Sequence, residues 1–472
     1  MPSFFPCLSY LENINFYKEV QSCFNECSTN TYAIRRHINV FVTLKISDFQ
    51  AFKFRRNLNM KGILVIIDGM GDLPHKLLNE KTPLEAAHTP NMDFLAARGE
   101  LGLMYPVKPG FIPESDEAIV SIFDNDLMFS TRGQLEALGA GLELTRGDLA
   151  LRANFATIDS LENKNIIDRR AGRTLTTKEA EGLAKALNKI KLPNNFIFKP
   201  TIQHRAVLVF KGGFSDNILG NDATYSQGKS TELSKIGYCK PLDDEEGSQY
   251  SANIINEFLE KAFEVLDRHP VNNDRRKKGL LPANYIFVRG AGSEKPKLKL
   301  YKKWLSPSYM PLEIGFSKTC GMKVITFNYP ELKNFDSYKN LYDGLEGVCD
   351  FLIKSLKKNY KDFDYAYLHI KETDLPGHDN KPIEKKLMIE YIDKTLFNFL
   401  RNFAPQNKIK VVVTADHSTP CKLKHHSADP VPVLFYNDSI PKEKKFSERD
   451  AAKGALGKMN GNELLKKVGF DK

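Results

Sequence analysis

The sequence predicts an α/β protein in which a mostly parallel sheet is flanked by helices and carries an inserted second α/β domain. Three apolar runs indicate this fold class: Gly62–Ile67, Tyr365–Ile370 and Ile409–Thr414. Uninterrupted aliphatic and β-branched runs are typical of strands that are buried on both faces, as strands in parallel sheets are. These three segments are therefore predicted to form the centre of the sheet.

A helix is predicted between the last two runs. Met388, Ile392, Leu396 and Phe399 recur there at helical spacing. The order strand, helix, strand is that of a parallel crossover unit, which requires helices on the faces of the sheet.

An aspartate follows each apolar run within a few residues: Asp68, Asp374 and Asp416. Open α/β sheets bind ligands beyond the carboxyl ends of their parallel strands. If the three strands are parallel, the three carboxylates converge at one edge.

The middle of the chain has strands and helices of its own. Leu149–Ile158 and His204–Phe210 are predicted to be strands, and Asn253–Arg268 is predicted to be an amphipathic helix. We therefore expect a core made from residues 60–126 and 283–472, interrupted by an inserted substrate-binding or lid domain at residues 127–282.

The first 59 residues contain no site motif, and Met60 directly precedes the first predicted strand. This segment fits neither a signal peptide nor an Arg-rich transit peptide. We expect an N-terminal extension at residues 1–59, with two alternatives open: it belongs to the native chain, or Met60 is the true start.

Composition excludes several classes of function. The chain has 472 residues and a formal charge of +10, but its basic residues are dispersed. The densest basic runs, 275–278 and 295–303, lack interleaved aromatic residues, so we expect solvated surface and no nucleic-acid partner. No apolar run approaches the roughly 20 residues that would span a bilayer, so no membrane partner is expected. Seven scattered cysteines indicate reduced thiols in a cytoplasmic protein.

Metal ligation is suggested by carboxylates and imidazoles at two strand ends. Asp374 and His378 lie four residues apart, and Asp416-His417 is followed by His425 and His426. Such mixed ligands suit manganese, zinc or cobalt better than calcium. Taken singly, each residue could equally be a turn former or a structural histidine, but the whole set exceeds what turns require.

Ser115 precedes an apolar helical pattern and is followed by Asp116 and Glu117. An N-cap at Ser115 explains this pattern without any catalytic role. The alternative is a nucleophilic serine, which a metal ion would activate and a helix N-terminus would assist by favouring a phosphoryl group.

Arginines cluster in and just after the middle segment. Guanidinium groups match phosphate and carboxylate oxygens in bidentate geometry, so these side chains could hold an anionic substrate, although a surface salt bridge explains any single one equally well. The candidates are Arg169, Arg170, Arg173, Arg205 and Arg289.

An ordered set of motifs between about Met60 and Leu434 resembles the archaeal-type 2,3-bisphosphoglycerate-independent phosphoglycerate mutases of the alkaline phosphatase superfamily. The motifs are Ile67–Met70, Thr82–Asp93, Arg132–Gly139, Asn154–Thr157, Asp168–Arg173, Arg289–Gly292, Thr373–Asp374, Gly377–His378, Ala415–Cys421 and His426–Pro432.

The resemblance implies an alkaline-phosphatase-like fold and two divalent metal ions. Manganese is expected first, with zinc, cobalt or magnesium as alternatives and with no requirement for bisphosphoglycerate. One ion would be held by Asp374, His378 and His426. The other would be held by Asp68, Ser115, Asp416 and His417.

The resemblance further implies a glycolytic isomerase that interconverts 3-phosphoglycerate and 2-phosphoglycerate. Ser115 would carry the phosphoryl group, Asp168 would be an acid/base candidate, and the five arginines would clamp this small-molecule substrate. The oligomeric state is not implied.

The serine motif departs from the family pattern. Family members have a Gly-Ser-Asp-Thr-Ala-like sequence, whereas this chain has Glu114 before the serine and Glu117 two residues after it. A metal-dependent phosphatase or another phosphotransferase on the same scaffold is therefore the alternative enzyme. An anion-binding or scaffolding protein is the alternative outside enzymes.

Overall fold

The computed structural model describes residues 60–222, 225–226, 229–230, 234–332 and 336–471. The predicted extension at residues 1–59 lies outside the described residues. The strands are β1 (Gly62–Ile67), β2 (Gly99–Tyr105), β3 (Leu149–Ile158), β4 (Ile166–Asp168), β5 (Phe196–Pro200), β6 (Arg205–Phe210), β7 (Ile218–Leu219), β8 (Tyr225–Ser226), β9 (Lys229–Ser230), β10 (Lys240–Pro241), β11 (Tyr285–Gly292), β12 (Trp304–Ser308), β13 (Lys323–Thr326), β14 (Tyr365–Ile370), β15 (Lys410–Thr414), β16 (Val431–Tyr436) and β17 (Gly457–Asn460).

Helices connect and flank these strands. They are α1 (Pro83–Ala86), α2 (Pro90–Ala97), α3 (Ser115–Ile122), α4 (Arg132–Gly139), α5 (Thr177–Leu187), α6 (Glu246–Asp267), α7 (Pro270–Lys277), α8 (Pro311–Thr319), α9 (Ser337–Asn359), α10 (Asp374–His378), α11 (Pro382–Ile392), α12 (Asn398–Asn407), α13 (Glu448–Ala451) and α14 (Leu464–Val468).

The larger sheet has the order β13-β12-β14-β1-β15-β16-β2-β17. Its central strand β1 pairs in parallel with both β14 and β15, and only the two pairings of β16 are antiparallel. All six residues of β1 are buried. The mostly parallel α/β class is therefore confirmed, and the three apolar runs are adjacent strands.

The second sheet is antiparallel, with the order β11-β3-β6-β5 and with β4 added to β3. It packs against α5 and α6 around its own apolar core, which includes Phe155, Phe198 and Phe258. Strand β11 belongs to this sheet although it lies beyond residue 282, the boundary predicted for the inserted segment. The division into domains stays a prediction.

Helix α4 lies between the two sheets. It packs on β3 and crosses α8 at very close range. A Cβ atom on Gly139 would lie 1.8 Å from the Pro311 carbonyl oxygen, and a Cβ atom on Gly315 would lie 1.7 Å from that of Leu135. Glycine is required at both positions, because any side chain would separate the helices.

Several local expectations differ from the structure. Helix α6 begins at Glu246 rather than residue 253, because hydrogen bonds to Ser215 satisfy the two buried serines of its first turns, Ser248 and Ser251. The helical pattern before β15 is interrupted by a π-helical turn at Asp393–Phe397. No helix within the described ranges is long and apolar enough to cross a membrane.

One basic run is not wholly solvated surface, as the sequence had suggested. Arg275 is only 1% exposed and donates hydrogen bonds to the carbonyl oxygens of Ala171 and Thr174, and it pairs with Glu179 at 3.1 Å. A buried guanidinium with these partners has a structural role. It supports the loop that carries Arg170 and Arg173.

Candidate active site

The carboxyl ends of β1, β14 and β15 bring the three predicted aspartates together. Asp68 directly follows β1, Asp416 follows β15 by two residues, and Asp374 begins α10 just beyond β14. The Gly69 amide donates to Asp416 Oδ1 at 3.1 Å, which links the first and third strand ends. The edge of the sheet is thus a carboxylate-rich surface, as the parallel order requires.

Two sets of donor atoms lie close enough to hold a metal ion. One set is Asp68, Asp416 and His417, and the other is Asp374, His417 and His426; within each set the donor atoms lie within 4.8 Å of one another. His417 belongs to both sets. The structure therefore brings together the ligands that the sequence assigned to two separate ions.

His378 lies beside the second set. Its Nε2 is 3.3 Å from Asp374 Oδ2, and its ring centroid is 5.2 Å from that of His426. The predicted turn that carries it is one short helix, α10, which places Asp374 and His378 on the same face.

The three histidines share one hydrogen-bonding pattern. In each ring, Nδ1 forms a hydrogen bond with an oxygen atom and Nε2 faces a carboxylate. This is the arrangement of metal-ligating histidines. The oxygen partners are Thr419 Oγ1 for His417 (3.0 Å), the Lys424 carbonyl for His378 (2.9 Å) and the Pro113 carbonyl for His426 (2.9 Å).

The donor set fits a divalent ion. Asp68 Oδ1 and Asp416 Oδ2 are buried and accept no hydrogen bond from any described residue. Burial lowers the pKa of His417 to about 3, so its imidazole is neutral and can donate a lone pair. Buried oxygens without partners are costly unless a cation binds them, and the mixture with imidazole suits manganese, zinc or cobalt.

Ser115 lies beside both donor sets. It is the first residue of α3 rather than its N-cap, because Glu114 occupies the cap position. Ser115 Oγ is 3.3 Å from His417 Nε2 and accepts a hydrogen bond from Lys371 Nζ at 3.1 Å. The hydroxyl thus lies at a helix N-terminus, where an anion is stabilised.

Sequence reasoning missed Lys371. Its ammonium group contacts Asp68 and lies 3.2 Å from Glu313 Oε1. Burial lowers the pKa of Lys371, but these carboxylates and Asp416 outweigh burial and raise it above its usual value. The sequence feature that could have identified Lys371 is its position directly after β14, at the edge of the sheet where ligands bind.

A cavity of about 450 Å³ opens above Ser115. All five predicted arginines line it, and so do two that were not assigned a role, Arg132 and Arg152. The side chain of Arg132 is fixed by Glu114 at 2.6 Å and by Glu136 at 2.8 Å. The charge of the cavity wall therefore depends on which arginines already have partners.

Three of the predicted arginines form ion pairs. Arg169 pairs with Asp222, Arg173 with Asp379 at 2.6 Å, and Arg289 with Glu114 at 2.9 Å and with Asp222 at 3.3 Å.

The other two, Arg170 and Arg205, have no carboxylate within 4 Å among the described residues. Burial and the neighbouring Arg173 lower the pKa of Arg170 to about 10, and burial also lowers that of Arg205. Both remain cationic at neutral pH. Within the described part of the chain, they are the lining arginines that form no ion pair.

Asp168 is not brought to this cavity. Its carboxylate accepts hydrogen bonds from the backbone amides of Arg170 at 2.7 Å and Gly172 at 2.8 Å, and it does not line the cavity. In this arrangement Asp168 shapes the arginine loop.

Known proteins resemble this chain over most of its length. A family model described as 2,3-bisphosphoglycerate-independent phosphoglycerate mutase matches residues 96–272. Proteins of that name from Pyrococcus furiosus and Thermococcus kodakarensis are each 40% identical to this chain, over 86% of it and 95% of their own length. A solved Pyrococcus horikoshii protein structure aligns with a TM-score of 0.66 at 31% identity, covering 88% of this chain and 98% of that one. The chain therefore belongs to the 2,3-bisphosphoglycerate-independent phosphoglycerate mutase family.

Proposed function

We propose that this protein interconverts 3-phosphoglycerate and 2-phosphoglycerate through a phosphoserine intermediate on Ser115, next to two divalent metal ions. The observation that carries the proposal is the position of Ser115 Oγ. It lies at the start of α3, 3.3 Å from His417 Nε2 and 3.1 Å from Lys371 Nζ, below a cavity lined with arginines.

The proposed metal ligands are those that the family resemblance implies. Asp374, His378 and His426 would hold one ion, and Asp68, Ser115, Asp416 and His417 the other, with His417 between the two sets. The ions would supply Lewis-acid stabilisation of the serine oxygen and of the phosphoryl oxygens. Manganese is the proposed ion, with zinc, cobalt or magnesium as alternatives, and no bisphosphoglycerate would be needed.

Lys371 would stabilise the ionised form of Ser115. Its ammonium donates a hydrogen bond to Ser115 Oγ, and the carboxylates around it keep it protonated. A fixed positive charge at this point favours the ionised serine as it attacks phosphorus. The N-terminus of α3 favours the anionic phosphoserine that results.

Arg170 and Arg205 would bind the anionic ends of the substrate. Each lines the cavity and has no ion-pair partner among the described residues, so each can donate to a carboxylate or phosphate without first breaking an ion pair with any of them. Arg169, Arg173 and Arg289 would mainly hold the cavity wall in shape through Asp222, Asp379 and Glu114.

The glycerate would stay beside Ser115 after the first transfer, reorient, and receive the phosphoryl group on its other hydroxyl. A cavity that holds the glycerate carboxylate keeps the acceptor close and limits attack by water. Asp168 would remain the acid/base candidate, since both backbone amides donate to its Oδ1 alone. We also propose a cytoplasmic location, because the cysteines of the described residues are free thiols, as is usual in a reducing compartment. They are Cys239, Cys320, Cys349 and Cys421.

The test uses 3-phosphoglycerate with manganese in water enriched in heavy oxygen. We expect 2-phosphoglycerate to form with little labelled inorganic phosphate, because the phosphoryl group returns to the glycerate. Stoichiometric release of labelled phosphate without isomerisation would show a phosphatase and contradict the proposal.

A further inference from the structure

We propose that Thr419 is a positioning residue that couples the two metal sites through a single hydroxyl group. The inference rests on the proposed function, because it assumes that the two donor sets bind metal ions. Thr419 is fully buried three residues after Asp416, and no role was assigned to it from the sequence.

The Thr419 hydroxyl contacts one ligand from each set. Oγ1 donates to Asp374 Oδ1 at 2.8 Å, and it lies 3.0 Å from His417 Nδ1. A hydroxyl has one hydrogen, and here that hydrogen points to the Asp374 carboxylate. Thr419 Oγ1 must therefore accept a hydrogen from His417 Nδ1.

This arrangement fixes the tautomer of His417. With its hydrogen on Nδ1, the ring leaves the lone pair of Nε2 available to an ion that would be shared with Asp68 Oδ1, 3.3 Å away, and Asp416 Oδ2, 3.4 Å away. Outer partners of this kind orient a histidine ligand and raise its basicity. The same hydroxyl also fixes one oxygen of Asp374, so the two sets share one orienting group.

The backbone of Thr419 is held equally firmly. Its amide donates to the Gly71 carbonyl at 3.0 Å, and its carbonyl accepts from Lys385 Nζ at 3.0 Å. Lys385 is fully buried and also donates to Asp72 Oδ2 at 2.8 Å and to the Gly71 carbonyl at 3.2 Å. Its three hydrogens thus tie the loop after Asp68 to the loop after Asp416.

Two glycines leave just enough room for Thr419. A Cβ atom on Gly69 would lie 2.6 Å from Thr419 Oγ1, and a Cβ atom on Gly377 would lie 2.4 Å from the Thr419 carbonyl oxygen. Gly69 also has a φ of 61°, which favours glycine. Three segments that carry proposed ligands therefore close around this one residue.

The test compares Mn²⁺ binding by the full-length protein and three variants, with free Mn²⁺ measured by electron paramagnetic resonance. Thr419→Val removes the hydroxyl and keeps the shape, whereas Thr419→Ser keeps the hydroxyl. Ser418→Ala is the matched control, since it removes a neighbouring buried hydroxyl that donates to the Asp429 carbonyl. We expect Thr419→Val to bind Mn²⁺ about 10- to 100-fold more weakly. The Mn²⁺ affinities of Thr419→Ser and Ser418→Ala should stay within about threefold of that of the parent, which is a much smaller change than the loss expected for Thr419→Val.

A second readout separates positioning from general loss of structure. Correlation spectra of the zinc-loaded protein with ¹⁵N-labelled histidine should show a slowly exchanging Nδ1 hydrogen on His417 in the parent and in Thr419→Ser, and a faster exchange of that hydrogen in Thr419→Val. Parent-like affinity in Thr419→Val, or an equal loss in Thr419→Ser, would overturn the role of Thr419. Absence of binding by the parent, both of Mn²⁺ and of Zn²⁺, Co²⁺ or Mg²⁺ in competition with it, would instead overturn the two-metal site of the proposed function.

Discussion

Replacing Arg170 with methionine should greatly reduce catalysis without weakening the fold. Arg170 lines the cavity with no carboxylate partner in the described ranges of the chain, and its charge is opposed by burial and by Arg173. Two hydrogen bonds to a substrate anion, at about 1.5 kcal/mol each, give about 3 kcal/mol in transition-state binding. That loss lowers kcat/KM roughly 150-fold. The free energy of unfolding should stay level or rise, because a partly buried charge that forms no ion pair with a described residue is removed.

Arg169→Met is the matched control, since Arg169 is the preceding residue and pairs with Asp222. We expect the opposite profile: kcat/KM falls less than about tenfold, and the protein loses about 1–2 kcal/mol of stability as Asp222 loses one partner. A coupled assay of 2-phosphoglycerate formation and urea unfolding measure both quantities. The reasoning is refuted if Arg170→Met keeps kcat/KM within threefold of the parent, or if the two variants lose equal stability.

Three further predictions follow from the same geometry. Ser115→Ala should lower turnover by at least about four orders of magnitude while Mn²⁺ still binds, because the covalent acceptor is lost; a variant with most of its turnover would exclude a phosphoserine. Chelation should abolish activity and manganese, cobalt or zinc should restore it, and full activity in metal-free protein would contradict the metal site. Burial and Arg205 hold the pKa of His204 well below 6.5, so just below pH 6.5 only the unfolded chain binds a proton at this residue. The free energy of unfolding therefore decreases as the pH is lowered below 6.5. His204→Gln should therefore gain about 2 kcal/mol relative to the parent between pH 7.5 and pH 5, as measured by urea unfolding; an equal difference at both pH values would refute this.

The fold class could be predicted because the pattern that reveals it is local. A strand buried on both faces, such as Gly62–Ile67, has to be apolar along its whole length, and that is visible in any single segment. Element ends were less predictable. Ser248 and Ser251 lie inside a helix because Ser215, more than thirty residues away, bonds with them.

The sequence by itself determined the residue types of the site. The aspartates and histidines follow strands, and parallel strands must place their carboxyl ends together, so convergence was implied before any coordinates were known. Only the tertiary structure decided the individual roles. The sequence could not show that Asp222, Asp379 and Glu114 pair with three arginines, because those pairs join residues as many as 206 positions apart. It also could not show that Arg170 and Arg205 find no such partner among the residues that the structure describes. It could not place Lys371 against Ser115 or Thr419 between two ligands either, since these contacts exist only once the strand ends are packed side by side.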